Sequence, residues 1–191
     1  MKWQNVEPEI QILSASAIFG NMHLVDVIKI LYALNRVPTI ITSKDCIQKI
    51  EDHIRSSDNE MGGIIIGKIY HLPFQPHHKY KYITFFTNIV PSTNFRNSRV
   101  SLRMDSEIWD KVESFIKEKK CVIGWYHSHP NIGAFFSGTD RMTQQAVFNY
   151  PYALGMVIDP INYDIKYFWG PQSEEITINI QFISETFLNR L

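Results

Sequence analysis

The chain has 191 residues, 45% of them apolar and 20% charged, which suits one domain with a real core. Its 19 basic and 19 acidic residues cancel, so no net field recruits nucleic acid or an anionic membrane, and neither is expected as a partner. The two cysteines, Cys46 and Cys121, lie far apart and exclude a disulfide framework or a cysteine-type zinc knuckle.

Residues 1–8 carry Glu7 and Pro8 where a signal peptide needs an apolar core, and no apolar run reaches the ~18–20 residues that span a bilayer. A reducing cytoplasm is the expected compartment. Ile10 to Ile18 reads as a strand, and Asn21 to Asn35 as a helix with Met22, Val25, Ile28, Leu31 and Tyr32 on its inner side. Thr39 to Thr42 is a strand, followed by a helix from Ser43 to about Ser56 that turns Cys46, Ile47, Ile50 and Ile54 inward. The run from Gly62 to Tyr70 is so continuously apolar that both faces must be covered, which predicts a central sheet with helices on both sides.

His71, His77 and His78 stand in a proline-interrupted segment and read as loop residues. Tyr80 to Val90 is the next strand. Residues 91–99 are polar and turn-rich, after which Val100, Leu102 and Met104 alternate with polar residues as a short strand with one dry side. A helix capped by Asp105 or Ser106 presents Ile108, Trp109, Val112, Phe115 and Ile116 to the core and delivers the chain into an apolar strand, Cys121 to Tyr126. Further on, Ala153 to Asp159 and Tyr163 to Trp169 read as strands. Ile176, Ile178, Ile180 and Phe182 alternate along a single late strand.

The chemistry is concentrated in 127–140. His127 and His129 sit at a strand end closed by Pro130; at a spacing of two, both imidazoles leave the same face while Ser128 turns away. Ser137 and Asp140 have the spacing of a helix cap and the third helical residue, so a helix is predicted to begin near Gly138. With Met142, Ala146 and Tyr150 as its inward stripe, the Asp140 carboxylate points away from the core, free to act as a third ligand. Two imidazoles and one carboxylate leave an open position on zinc, the arrangement of a catalytic ion. Ser137, one turn before Asp140, is the candidate donor to an oxyanion, and Ser128 the candidate orienter of a ligand.

This conjunction resembles the JAMM motif of MPN-domain metalloproteases: a distant Glu, then His-Ser/Thr-His-Pro, a short spacer and Ser-x-x-Asp. The match runs through His127, Ser128, His129, Pro130, Ser137 and Asp140. Glu60, opening the stretch Glu60-Met61-Gly62-Gly63-Ile64-Ile65-Ile66-Gly67, is similar to the distant glutamate. The resemblance implies an α/β fold of the MPN, cytidine deaminase-like type, with a central curved mixed sheet flanked by helices. It covers residues 37–191 and leaves 1–36 as an extension that packs on the domain or makes a homodimer or partner contact.

It further implies one catalytic Zn2+ held by His127, His129 and Asp140, with Glu60 as general base. The implied substrate is ubiquitin or a ubiquitin-like protein, cut after its C-terminal glycine. Ile132, Phe135 and Phe136 would line the channel for its tail, and Val100 and Leu102 would close over it by strand addition. A free-standing chain of this size is similar to the JAMM isopeptidases of bacterial ubiquitin-like conjugation operons, whose activating and conjugating enzymes are the expected partners. Two rival readings are a zinc peptidase acting on sulfur-carrier proteins or small peptides and a non-catalytic MPN scaffold. Scaffold members usually lack some of the ligands, and none is missing here.

Overall fold

Residues 11–12, 18–20, 22–34, 36–71, 80, 82–92 and 106–188 are described by the structure, a computed structural model. In chain order they form β1 (Gln11–Ile12), α1 (Leu24–Ala33), β2 (Thr39–Thr42), α2 (Lys44–Ile54), β3 (Gly62–His71) and β4 (Tyr82–Pro91). There follow α3 (Ser106–Lys117), β5 (Cys121–Ser128), α4 (Gly138–Val147), β6 (Leu154–Asp159), β7 (Asp164–Trp169), β8 (Glu174–Ile176), β9 (Asn179–Phe182) and α5 (Glu185–Leu188). The strands make one mixed sheet in the order β8-β7-β6-β5-β3-β4-β2-β9, with β1 alongside the far end of β3. The chain is therefore an α/β protein.

β3 is buried over nearly its whole length because β4 and β5 flank it and both of its faces are covered. On one face Cys46, Ile50 and Ile54 of α2 pack with Ile65, Tyr126, Leu154 and Trp169. On the other, Ile108 and Val112 of α3 pack with Ile64, Ile66, Trp125, Phe136 and Phe148. The β3–β5 ladder shifts register between Ile65 and Ile66, which passes over Ile123. That bulge lets Ile123 and Tyr126 both join the α2 side while Trp125 joins the α3 side.

Three sequence expectations are corrected. The inner face of α1 is carried by Val27, Ile30, Leu31 and Leu34, whereas Val25, Ile28 and Tyr32 are exposed. α1 is apolar over more than half its circumference, so periodicity alone could not choose the buried side. In α3, Ile116 is exposed although it stands one turn past the buried Val112; it lies in the last turn of the helix. The late strand is two strands at opposite ends of the sheet: β8 pairs with β7 and β9 with β2. Three Cα–Cα steps separate Ile176 from Asn179, at most ~11 Å, so the sheet curls until its two ends nearly meet. Ile40, Trp169, Ile176 and Ile178 pack together with α2 inside the curl.

Among the described residues near the N-terminus, Gln11 and Ile12 form the strand, paired with Tyr70 and His71, and Ile18 is helical. Residues 13–17 and the expected strand through Val100, Leu102 and Met104 lie outside the described residues, as do His77 and His78. No helix among the described residues is long and apolar enough to cross a membrane.

Candidate metal centre

The centre forms where the ends of β5, the start of α4 and the approach to β3 meet. Pro130 stops β5 as a ladder strand, but the His129 N–H still donates to the Ile158 carbonyl at 2.9 Å and keeps that ring beside β6. Ser128 turns to the opposite side. Its N–H donates to the Met61 carbonyl at 2.7 Å, and its Oγ accepts from the Met61 N–H at 3.0 Å. Glu60, the residue before Met61, is thereby carried to the histidines.

Ser137 caps α4. Its Oγ accepts from the Asp140 N–H at 3.2 Å while Asp140 Oδ2 accepts from the Ser137 N–H at 2.7 Å, a reciprocal capping box. The box orients Asp140 Oδ1 toward His127 Nε2, 3.4 Å away. Glu60 Oε1 lies 3.6 Å from His129 Nε2 and 3.9 Å from His127 Nε2, and Asp140 Oδ2 lies 3.9 Å from His129 Nε2. The ligand atoms of Glu60, His127, His129 and Asp140 all fall within 4.8 Å of one another.

A tetrahedral zinc with bonds of about 2.0–2.1 Å separates its ligand atoms by about 3.4 Å. The donor set fits such an ion. Moreover, His127 Nε2 is buried and has no hydrogen-bond partner among the described residues, although it points at carboxylate oxygens. A buried ring nitrogen left without a partner is costly unless something else occupies the point it faces.

Electrostatics follow from burial and crowding. Burial, reinforced by the charge of Asp140, pushes the Glu60 carboxyl up to about 7. Burial would raise Asp140 too, but the His127 ring and the Ser137 hydroxyl and N–H outweigh it and leave that carboxyl lowered. Burial and the neighbouring His127 lower His129 and favour the neutral imidazole, the form a metal ion would need.

The α4 stripe is also corrected. Met142 and Ala146 are exposed; the inward face is Asp140, Gln144 and Phe148. Asp140 thus shares the buried side of its helix and meets the imidazoles there. Among the residues expected at a substrate channel, Ile132 and Phe135 are exposed at 58% and 42%, and the Phe135 ring touches His129 with centroids 4.8 Å apart. Phe136 is 6% exposed and stacks on Phe168, inside the core. Val100 and Leu102 lie outside the described residues.

Sequence reading passed over one residue that shapes the site. Asp159, taken only as the stop of a strand, is fully buried and accepts from the N–H groups of Asn131, Gly133, Ile161 and Asn162 and from the Asn162 side-chain amide, at 2.7–3.1 Å. It holds the turn after His129, where Asn131 and Gly133 have φ of 63° and 85°, a conformation Asn and Gly tolerate best. An aspartate followed by proline after an apolar strand is a local turn signal; its bonds to a turn about thirty residues earlier left no trace in the pattern.

Comparisons with known proteins agree in kind. Residues 43–169, well over half of the chain, match the family model described as prokaryotic homologs of the JAB domain. Subunit 5 of the COP9 signalosome complex from Kluyveromyces lactis is 37% identical over 67 residues, 33% of this chain and 18% of that protein. The 26S proteasome regulatory subunit rpn11 from Schizosaccharomyces pombe is 49% identical over 41 residues, 21% of this chain and 13% of that protein. The chain thus spans less than a fifth of the length of these curated relatives. A solution structure of a Desulfitobacterium hafniense protein shares the fold, with a TM-score of 0.57 at 20% identity over 77% of this chain and 96% of that one.

Proposed function

The chain belongs to the family of prokaryotic JAB-domain homologues, and on that premise we propose that it is a zinc-dependent isopeptidase that cuts the amide bond after the C-terminal glycine of ubiquitin or a ubiquitin-like protein. The observation that carries the reading is the convergence of Glu60, His127, His129 and Asp140 at one buried point. His127, His129 and Asp140 would hold the metal, and two imidazoles with one carboxylate favour zinc over magnesium or calcium. When bound, zinc supplies a Lewis acid that brings the pKa of water to about 7.

The side chains divide the remaining work. Glu60, buried and poised near neutrality, takes the proton of the attacking water and passes it to the leaving amine. Asp140 stays ionised through its capping box and its histidine neighbour. Ser137, whose oxygen is steadied by the Asp140 N–H, is the donor for charge developing on the scissile carbonyl oxygen. Ile132 and Phe135 offer apolar surface to an extended tail beside His129. A ubiquitin-like substrate is supported by the relatives' names, which are those of proteasome and signalosome subunits.

The test uses zinc-loaded protein and a panel of ubiquitin and ubiquitin-like proteins carrying a C-terminal fluorogenic amide. Cleavage is expected, lost with a chelator and restored by zinc. Glu60→Gln is expected to bind zinc normally yet lose about 10²–10⁴ in kcat. A panel left uncut, or a Glu60→Gln variant that turns over at the wild-type rate, overturns the proposal.

A further inference from the structure

A histidine that ligates a metal is ordinarily held by its second ring nitrogen, which donates to a carboxylate or a carbonyl. His127 lacks that support: its Nδ1 is buried and has no hydrogen-bond partner among the described residues. Another contact must set the plane of its ring. The imidazole lies parallel to the Trp125 indole, with centroids 4.6 Å apart and planes 12° apart. Trp125 is itself parallel to Phe148, at 5.7 Å and 4°. Three rings from β5 and the end of α4 therefore form one column, which Phe136 flanks at 5.5 Å from Trp125 and 5.8 Å from His127.

The column is pinned. Trp125 Nε1 donates to Gln144 Oε1 at 2.6 Å, and Gln144 Nε2 donates to the Gly170 carbonyl at 3.1 Å. Gln144 is fully buried and stands one helical turn after Asp140. One side chain thus ties the helix of the third ligand to the strand of the first. Space for the flanking ring is reserved by Gly155, where an added Cβ would come within 2.3 Å of Phe136 Cζ.

We infer that Trp125, pinned by Gln144, is the positioning residue that orients His127 for the metal, through ring stacking in place of a hydrogen bond. The inference rests on the metal-site reading and is independent of the substrate. It makes the indole face the support of the ligand, and Gln144 the support of the indole.

The experiment measures zinc affinity by chelator competition, with zinc alone as the probe. Trp125→Leu, which removes the parallel face, is expected to bind about 100-fold more weakly; Trp125→Phe and Gln144→Met, which keep the face but lose the pin, about 10-fold more weakly. Cobalt(II)-loaded Gln144→Met should show displaced visible bands at full occupancy, a change that a loss of fold stability alone would not produce. Wild-type affinity in Trp125→Leu, or Trp125→Phe no better than Trp125→Leu, overturns the inference. Should Trp125→Leu fail to fold, Gln144→Met decides: wild-type affinity and undisplaced cobalt bands overturn it. A wild-type protein that binds no zinc would sink the metal reading and this inference with it.

Discussion

Glu60 carries the largest consequence of any single ionisable group at the centre. Its carboxyl titrates near 4.5 in the unfolded chain and at about 7 in the metal-free fold. Between those values the folded state keeps a proton that the unfolded state has released, so the contribution of Glu60 to stability is full below pH 4.5 and declines as pH rises toward 7. With the side chain almost wholly buried, the loss reaches about 3 kcal/mol. His129, lowered in the fold, works in the opposite direction, and a comparison of variants separates the two. Metal-free wild type should lose stability relative to Glu60→Gln between pH 5 and pH 7.5 in urea titrations; parallel curves for the two proteins would contradict the account.

At the scale of elements, the site depends on two turns held by one carboxylate. Asp159→Ala would leave the N–H groups of Asn131, Gly133, Ile161 and Asn162 without their acceptor, at a cost of about 3 kcal/mol. Chemical unfolding should register that as a lower midpoint with an unchanged slope, and a loss below about 1 kcal/mol would mean the turns stand by themselves. Legibility followed the range of the interaction. The start of α4 could be read because a Ser-x-x-Asp cap is local, and α2 because its stripe of Cys46, Ile47, Ile50 and Ile54 is bounded by Ser43. The inward face of α4 was misjudged because a polar Gln144 fills a core position that a hydrophobicity pattern assigns to Met142. β8 and β9 merged into one because alternation continues through Thr177, and which neighbour each segment pairs with is not a local property. Trp125 went unremarked within its apolar strand for the same reason: its partner Gln144 lies on another element, α4.

For the molecule as a whole, the centre joins three parts of the chain that are distant in sequence: the approach to β3, the end of β5 and the first turn of α4. An ion that binds the fold but not the unfolded chain stabilises it by about 4 kcal/mol at a thousand times its Kd. For a domain of this size that corresponds to roughly 8–16 °C. Stripping the metal should lower Tm by that order, and His127→Ala should have a Tm that no longer responds to zinc; an equal zinc response in the variant would place the ion elsewhere. The short passage from Ile176 to Asn179 bears on the molecule's behaviour in a crowded solution. It brings the outermost strands, of three and four residues, back toward each other around α2, so a neighbouring copy finds little unpaired backbone on which to build a continuous ladder. The same curl thereby protects both ends of the sheet from edge-to-edge aggregation.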